Sequence, residues 1–353
     1  MLANKPVIAV THGDMNSISY EVILKTFAEP RVFEEFIPVI YGSSKAAAYH
    51  RKQLDIQGVN LNVINAIEEA LPKKINLINC TEDELKVDLG RSTEEAGKAA
   101  LAALQKVVVD MKSGIIDAIV TGPINKKNIQ SDEFHFPGHT EFLEEHLGDG
   151  QKALMLLVND VMRVAVVTGH IPVKEISKTL TAELIIEKLR IFNRSLKQDF
   201  TIVRPRIAVL GLNPHAGDEG VIGNEENMIK EAMQAVEKDG LLTFGPYPAD
   251  GFFGSGNFNR FDGILAMYHD QGLIPFKTIS MDQGVNFTAG LPVIRTSPAH
   301  GTAYDIAGKN MASEESFRQA LFMAYDIINN RAIHREMSAN PLKVEEKRAS
   351  RIA

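Results

Sequence analysis

The sequence has 353 residues, 44% of them hydrophobic and 24% charged, with a formal net charge of −7. These values fit a folded globule rather than a disordered or membrane chain, and the negative balance argues against a general affinity for nucleic acid or anionic membrane. One cysteine, Cys80, excludes an internal disulfide framework, and the first apolar run, Pro6 to Val10, is too short for a signal peptide or a spanning helix, so a cytoplasmic protein is expected.

In chain order, short β-branched runs alternate with longer helical patterns, which predicts an α/β fold with parallel strands covered by helices. The predicted strands are Val7–Val10, Phe36–Tyr41, Ile116–Thr121, Arg163–Thr168, Arg206–Gly211 and Gly263–Tyr268. Apolar spacings of three and four predict helices over Thr93–Met111 and Val173–Leu196. The tail from Asn340 onward, rich in Lys, Glu and Arg, reads as a solvated terminal segment. No repeat or low-complexity segment is visible, and the length fits two closely joined domains.

Five predicted strands run into polar, Gly- or Pro-flanked turns: Thr11-His12-Gly13-Asp14, Thr121-Gly122-Pro123, Thr168-Gly169-His170, Asn213-Pro214-His215 and Tyr268-His269-Asp270. Ligands of open α/β sheets bind outside the carboxyl ends of strands, so these turns are expected at one common edge. Three of them carry histidine: His170, His215 and His269. Neutral imidazoles meeting there would ligate a divalent ion and leave positions open for substrate oxygens; the plain alternative is that each bonds a nearby carbonyl. Asp270 and Asp218 stand beside two of them, where a carboxylate would orient an imidazole.

The segment Phe136–Leu143 reads as a turn entering a helix, with His139 and Thr140 at an N-terminus that favours an anion, or with Thr140 as a simple cap. Lys277 and Arg295 flank Asn286, and Lys126 lies in a strand-end loop. A guanidinium fork suits carboxylate or phosphate, and a lysine supplies a point charge or a titratable proton; solvation is the bland fate of each. Asp250, in a Pro-rich turn, is a turn former or a catalytic carboxylate. No phosphate loop, complete Gly-x-Gly-x-x-Gly fingerprint or Gly-x-Ser-x-Gly elbow is present.

The segments 121–126 (TGPINK), 138–143 (GHTEFL), 168–172 (TGHIP), 213–218 (NPHAGD), 248–250 (PAD), 268–272 (YHDQG) and 297–308 (SPAHGTAYDIAG) together closely resemble the 4-hydroxythreonine-4-phosphate dehydrogenase family. The last segment is also similar to the adenosine-binding loop of isocitrate and isopropylmalate dehydrogenases. The resemblance implies two α/β/α domains with mostly parallel sheets and an interdomain cleft. Residues 1–136 plus 300–353 are expected on the cofactor side, and 137–299 in a metal, substrate and dimerisation domain. It implies NAD-dependent oxidation and decarboxylation of 4-phosphohydroxy-L-threonine to 3-amino-2-oxopropyl phosphate in vitamin B6 biosynthesis, with NADP as the alternative cofactor.

By position, His170, His215 and His269 match the ligands of one divalent ion (zinc, cobalt or magnesium), held at a site shared between the subunits of a homodimer. His139, Thr140, Lys277, Asn286 and Arg295 match substrate-binding positions, Asp250 and Lys277 are the catalytic candidates, and His300, Gly301, Thr302, Ala303 and Asp305 match the cofactor loop. The rival readings are a dehydrogenase of threonate or erythronate phosphate, a non-redox enzyme like the phosphate acyltransferases, and a noncatalytic binding protein. One departure stands out. The family loop Gly-Asp/Glu-Pro-Ala-Gly-Ile-Gly-Pro-Asp/Glu is here Gly13-Asp-Met-Asn-Ser-Ile-Ser-Tyr-Glu21, and serines at 17 and 19 are expected to make positive φ or close backbone approach harder.

Overall fold

The computed structural model describes residues 5–81, 85–279 and 283–340; most of the tail predicted to be solvated lies outside them. The strands are β1 (Val7–Thr11), β2 (Ile37–Gly42), β3 (Leu61–Ile64), β4 (Ile75–Asn79), β5 (Ala118–Thr121), β6 (Leu154–Val158), β7 (Arg163–Thr168), β8 (Arg206–Leu210), β9 (Leu242–Tyr247), β10 (Gly263–Tyr268), β11 (Val285–Ala289) and β12 (Ile294–Pro298). They form one sheet in the order β3-β4-β2-β1-β5-β12-β11-β6-β7-β10-β8-β9. The α/β class and the mostly parallel pairing agree with the sequence reading. Both faces are covered: on β1, Val7 and Ala9 join one apolar cluster while Ile8 and Val10 join another. That is why such strands read as unbroken apolar runs.

Three pairings, β12–β11, β11–β6 and β6–β7, are antiparallel. An odd number of reversals makes the β1/β5 arm and the β7/β10/β8 arm run in opposite directions. The expectation that five strand ends share one edge is therefore corrected. The polar turns instead approach from both sides the face of the central strands. There Asn286 pairs with Ser297 and Leu157, and Thr288 with Arg295 and Met155, so these side chains project from the same face.

The predicted helix Thr93–Met111 is found as Glu94–Lys112, capped by the Thr93 side chain on the Ala96 N–H, with Glu94 and Glu95 in the first turn and Lys112 in the last. The span Val173–Leu196 is not one helix. A short turn ends at Thr179, Leu180 and Thr181 are extended, and the Thr181 side chain caps a new helix, Ala182–Gln198, on the Leu184 N–H. A threonine cap inside a continuous apolar pattern restarts the helix in a new direction. No helix among the described residues is long and apolar enough to cross a membrane.

The altered loop after β1 is buried and hydrogen-bonded. Gly13 keeps φ +67°, and a Cβ there would lie 2.4 Å from the Pro123 carbonyl oxygen. Ser17 and Ser19 are not among the residues with positive φ, so the expected conflict does not arise. Their hydroxyls bridge the turn instead: Ser17 donates to the Asp14 carbonyl (2.6 Å) and Ser19 to the His12 carbonyl. Tyr20 fills the loop's base, its ring 5.3 Å from those of His12 and His50.

Burial pushes His12 down to about 4 and lowers His50 as well. Both are neutral in the fold, whereas an unfolded histidine takes its proton near pH 6.5. The unfolded chain thus binds more protons below that pH. Stability is full above about pH 6.5 and falls on acidification, by ~1.4 kcal/mol per pH unit for each such histidine down to its folded value. Urea unfolding between pH 7 and 5 should show this loss, and His12→Gln should flatten the slope; an unchanged slope would contradict a neutral, buried His12.

Candidate active site

The polar residues of the central face meet in a cleft of about 230 Å³. Its floor carries Arg295, only 3% exposed. The guanidinium donates through Nε (3.1 Å) and Nη2 (2.7 Å) to the Thr121 hydroxyl, and through Nη1 to that of Thr288 (3.3 Å). Among the described residues no carboxylate pairs with it, and burial pulls it down to about 10, with Glu141 acting weakly the other way. A buried cation held only by neutral hydroxyls is poised for an anionic ligand, since an uncompensated charge is otherwise expensive to desolvate.

Around it stand polar atoms without partners. His139, in the first turn of the helix His139–Leu147, is buried, and its Nε2 is unbonded; burial, then the charges of Arg295 and Lys126, keep the ring neutral. The helix begins at Gly138 with no side-chain cap, so Thr140 is not the capping residue. Asn286 Oδ1, Glu141 Oε2 and His300 Nε2 are also buried and unpartnered. Lys277 and Lys126 line the same cleft. Orphans of this density are seldom tolerated unless something binds to them.

His170 and His269, from β7 and β10, face each other across the cleft with ring centroids 5.5 Å apart. The Asp270 carboxylate lies 2.7 Å from His269 Nδ1, which leaves Nε2 as the outward nitrogen, the arrangement found behind metal-bound histidines. Lys126 Nζ sits 3.2 Å from His170 Nε2.

His215 is not in this cleft. With Asp250 and the far side of Asp270 it lines an adjoining cavity of about 640 Å³, beside the exposed Ile274 and Ile279. Among the described residues no three His, Cys, Asp or Glu side chains are grouped to hold a metal ion. One chain thus offers two facing imidazoles with a carboxylate behind one, a donor set suited to a divalent transition ion, and a third imidazole next door. The turn bearing His215 is left-handed throughout, with φ of 53°, 52°, 78°, 44° and 54° from His215 to Glu219. Four of these residues carry a Cβ, and each costs roughly 1–2 kcal/mol in that region.

The 300–308 loop joins the cleft at His300 and Gly301 and is clamped to the altered loop: the Ile18 N–H donates to the Thr302 carbonyl (3.2 Å) and the Tyr304 hydroxyl to Asp14 (2.7 Å). Ala303 is left-handed, and Asp305 lies in the short turn that follows. Thr288 was not assigned from sequence, and neither were two further contributors. Glu141 lies inside a motif that drew attention to its neighbours, and Thr121 holds Arg295 from 174 residues away, beyond any local signal.

Fold and cleft together define an α/β protein whose central cleft sets a buried guanidinium beside paired imidazoles. Residues 34–324 match the family model described as "Pyridoxal phosphate biosynthetic protein PdxA", and the chain belongs to that family. A 4-hydroxythreonine-4-phosphate dehydrogenase from Bacteroides thetaiotaomicron is 58% identical over 97% of this chain and 94% of its own. A protein from Oceanobacillus iheyensis, provisionally named a D-threonate 4-phosphate dehydrogenase, is 35% identical over 92% and 99%. Among solved structures, a Klebsiella pneumoniae 4-hydroxythreonine-4-phosphate dehydrogenase superposes with a TM-score of 0.80 at 33% identity, over 92% of this chain and 99% of that one.

Replacing Arg295 with Met removes the uncompensated charge. The ligand-free variant should melt at or above the wild-type temperature, while the stabilisation that inorganic phosphate gives the wild type should vanish. A thermal-shift comparison with and without phosphate checks both, and a retained phosphate effect would contradict the assignment of Arg295 as the anion receptor.

Proposed function

We propose that this protein is an NAD-dependent, metal-requiring dehydrogenase that oxidises and decarboxylates 4-phosphohydroxy-L-threonine to 3-amino-2-oxopropyl phosphate in vitamin B6 biosynthesis, in the cytoplasm. The observation that carries this reading is the buried Arg295, which no carboxylate pairs with among the described residues, ringed by the unpartnered His139 Nε2, Asn286 Oδ1 and His300 Nε2 in a chain of the PdxA family. Arg295 and Lys277 hold the substrate's anionic ends. Neutral His139 and Thr140, at the start of their helix, orient the phosphate, and Asn286 Oδ1 accepts from a substrate donor.

His170, His269 and His215 are the residues that would hold the divalent ion, which when bound supplies Lewis acidity to the reacting hydroxyl and lowers its pKa. The loop His300, Gly301, Thr302, Ala303 and Asp305 would hold the adenosine end of NAD, whose nicotinamide supplies the hydride acceptor. Asp250, which lines the wall beside His215, or Lys277, which lines the substrate cleft and would then act as a neutral amine rather than as an anion-holding ammonium, takes the hydroxyl proton. Separation of His215 from the other two imidazoles supports a homodimer in which a second copy completes each site. The exposed Ile274 and Ile279 around the His215 cavity support the same assembly.

The Oceanobacillus relative supports a second reading, oxidation of threonate or erythronate phosphate. A coupled assay measures NADH formation on the amino and the hydroxy substrate, with and without a chelator. The proposal expects turnover on the amino substrate that the chelator removes, and faster turnover on the hydroxy acid would favour the rival. His215→Ala should abolish NADH formation in a protein with unchanged circular dichroism; near-normal turnover would refute the metal assignment. Product release without NADH would indicate a non-redox enzyme, and binding without turnover a noncatalytic relative.

A further inference from the structure

The left-handed turn at His215–Glu219 persists only if its surroundings hold it. Glu226, in the helix Glu225–Glu237, is 3% exposed and lies directly beneath it. Its Oε1 accepts from the backbone N–H of Leu212 (3.0 Å) and of Asn213 (2.8 Å), and its Oε2 accepts from the Asn213 side-chain amide (3.0 Å). Packing is so close that a Cβ on Gly217 would lie 2.4 Å from Glu226 Oε2, and one on Gly211 would lie 2.9 Å from Ala216. Among the described residues this buried carboxylate has no cationic partner, so its three acceptor contacts all serve the strand end and turn that carry His215.

A second tie links that turn to His269. Gln271 donates from Nε2 to the Gly211 carbonyl (2.6 Å) at the end of β8, and its Oε1 accepts from the Met267 N–H (2.7 Å) in β10. The strand ends bearing His215 and His269 are thus bolted together by one amide, while Glu226 fixes the outer side of the first.

We propose that Glu226, together with Gln271, is a positioning residue that holds His215 in its left-handed turn on a fixed strand end, and so sets the affinity for the divalent ion that His215 helps to bind. The inference rests on the metal reading given above. Glutamine at 226 keeps the volume but turns one acceptor into a donor facing the donors of Asn213, so the turn relaxes from its strained pose.

The experiment is a competition titration of Zn2+ into full-length, metal-free wild type and Glu226→Gln, Gln271→Ala and His215→Ala variants, with melting temperature and the phosphate-dependent shift measured on each. Expected are Zn2+ affinities about 10–100-fold weaker in Glu226→Gln and Gln271→Ala, the effect typical of losing an outer support of a metal ligand, with the phosphate shift at Arg295 retained. A merely structural role would lower the melting temperature and leave Zn2+ affinity in the folded protein unchanged, which overturns the proposal. If Glu226→Gln fails to fold, wild-type affinity in Gln271→Ala overturns it equally. Wild-type affinity in His215→Ala would bring down the metal reading itself, whereas weak binding there with normal binding in the other two defeats only this inference.

Discussion

A guanidinium that no carboxylate pairs with among the described residues sits at the centre of the sheet, and the arrangement around it follows from that fact. Arg295 projects from β12 onto the face shared with β11 and β6, where it is held by hydroxyls from β5 and β11 rather than by a carboxylate. A carboxylate in that place would neutralise the guanidinium. Hydroxyls satisfy the N–H groups while leaving the charge available. The neighbouring His139 is kept neutral by burial and by the same positive field, so it stands beside the guanidinium as a dipole and not as another cation.

The direction of the strands determines how the rest of the chain reaches this charge. Three antiparallel pairings reverse the two arms of the sheet, so loops after β5 and loops after β7 and β10 come to one cleft from opposite sides. His170 and His269 arrive this way, while His215, at the end of β8, stops one cavity short. The left-handed turn at 215–219 holds strained backbone at the rim of that cavity, a trade of stability for geometry.

The loop after β1 shows how a glycine-rich turn is rebuilt without its glycines. Only Gly13 needs positive φ and the close approach to Pro123. At 17 and 19 the backbone is compatible with serine, and each added hydroxyl closes a local hydrogen bond. Asp14, fixed by Asn128 and Tyr304, then anchors the loop that closes the other end of the cleft. With serine at 17 and 19 the loop is a buried, hydrogen-bonded turn.

From sequence alone came the α/β class, six of the strands, the helix after Thr93 and several residues that line the cleft, among them His139, His170, His269, Lys277, Asn286 and Arg295, because local periodicity, caps and family motifs are properties of short segments. The central strands β6, β11 and β12 were not recognised, and two of them interleave polar residues such as Asn286, Arg295 and Ser297, which line the cleft, and Thr288, which bonds to Arg295. Opposite directions in the two arms, the restart of the helix at Thr181, the Thr121 support of Arg295 and the separation of His215 from its two counterparts were decided by tertiary structure. Each depends on contacts between residues far apart in the chain, and such contacts leave no trace in the spacing of neighbours.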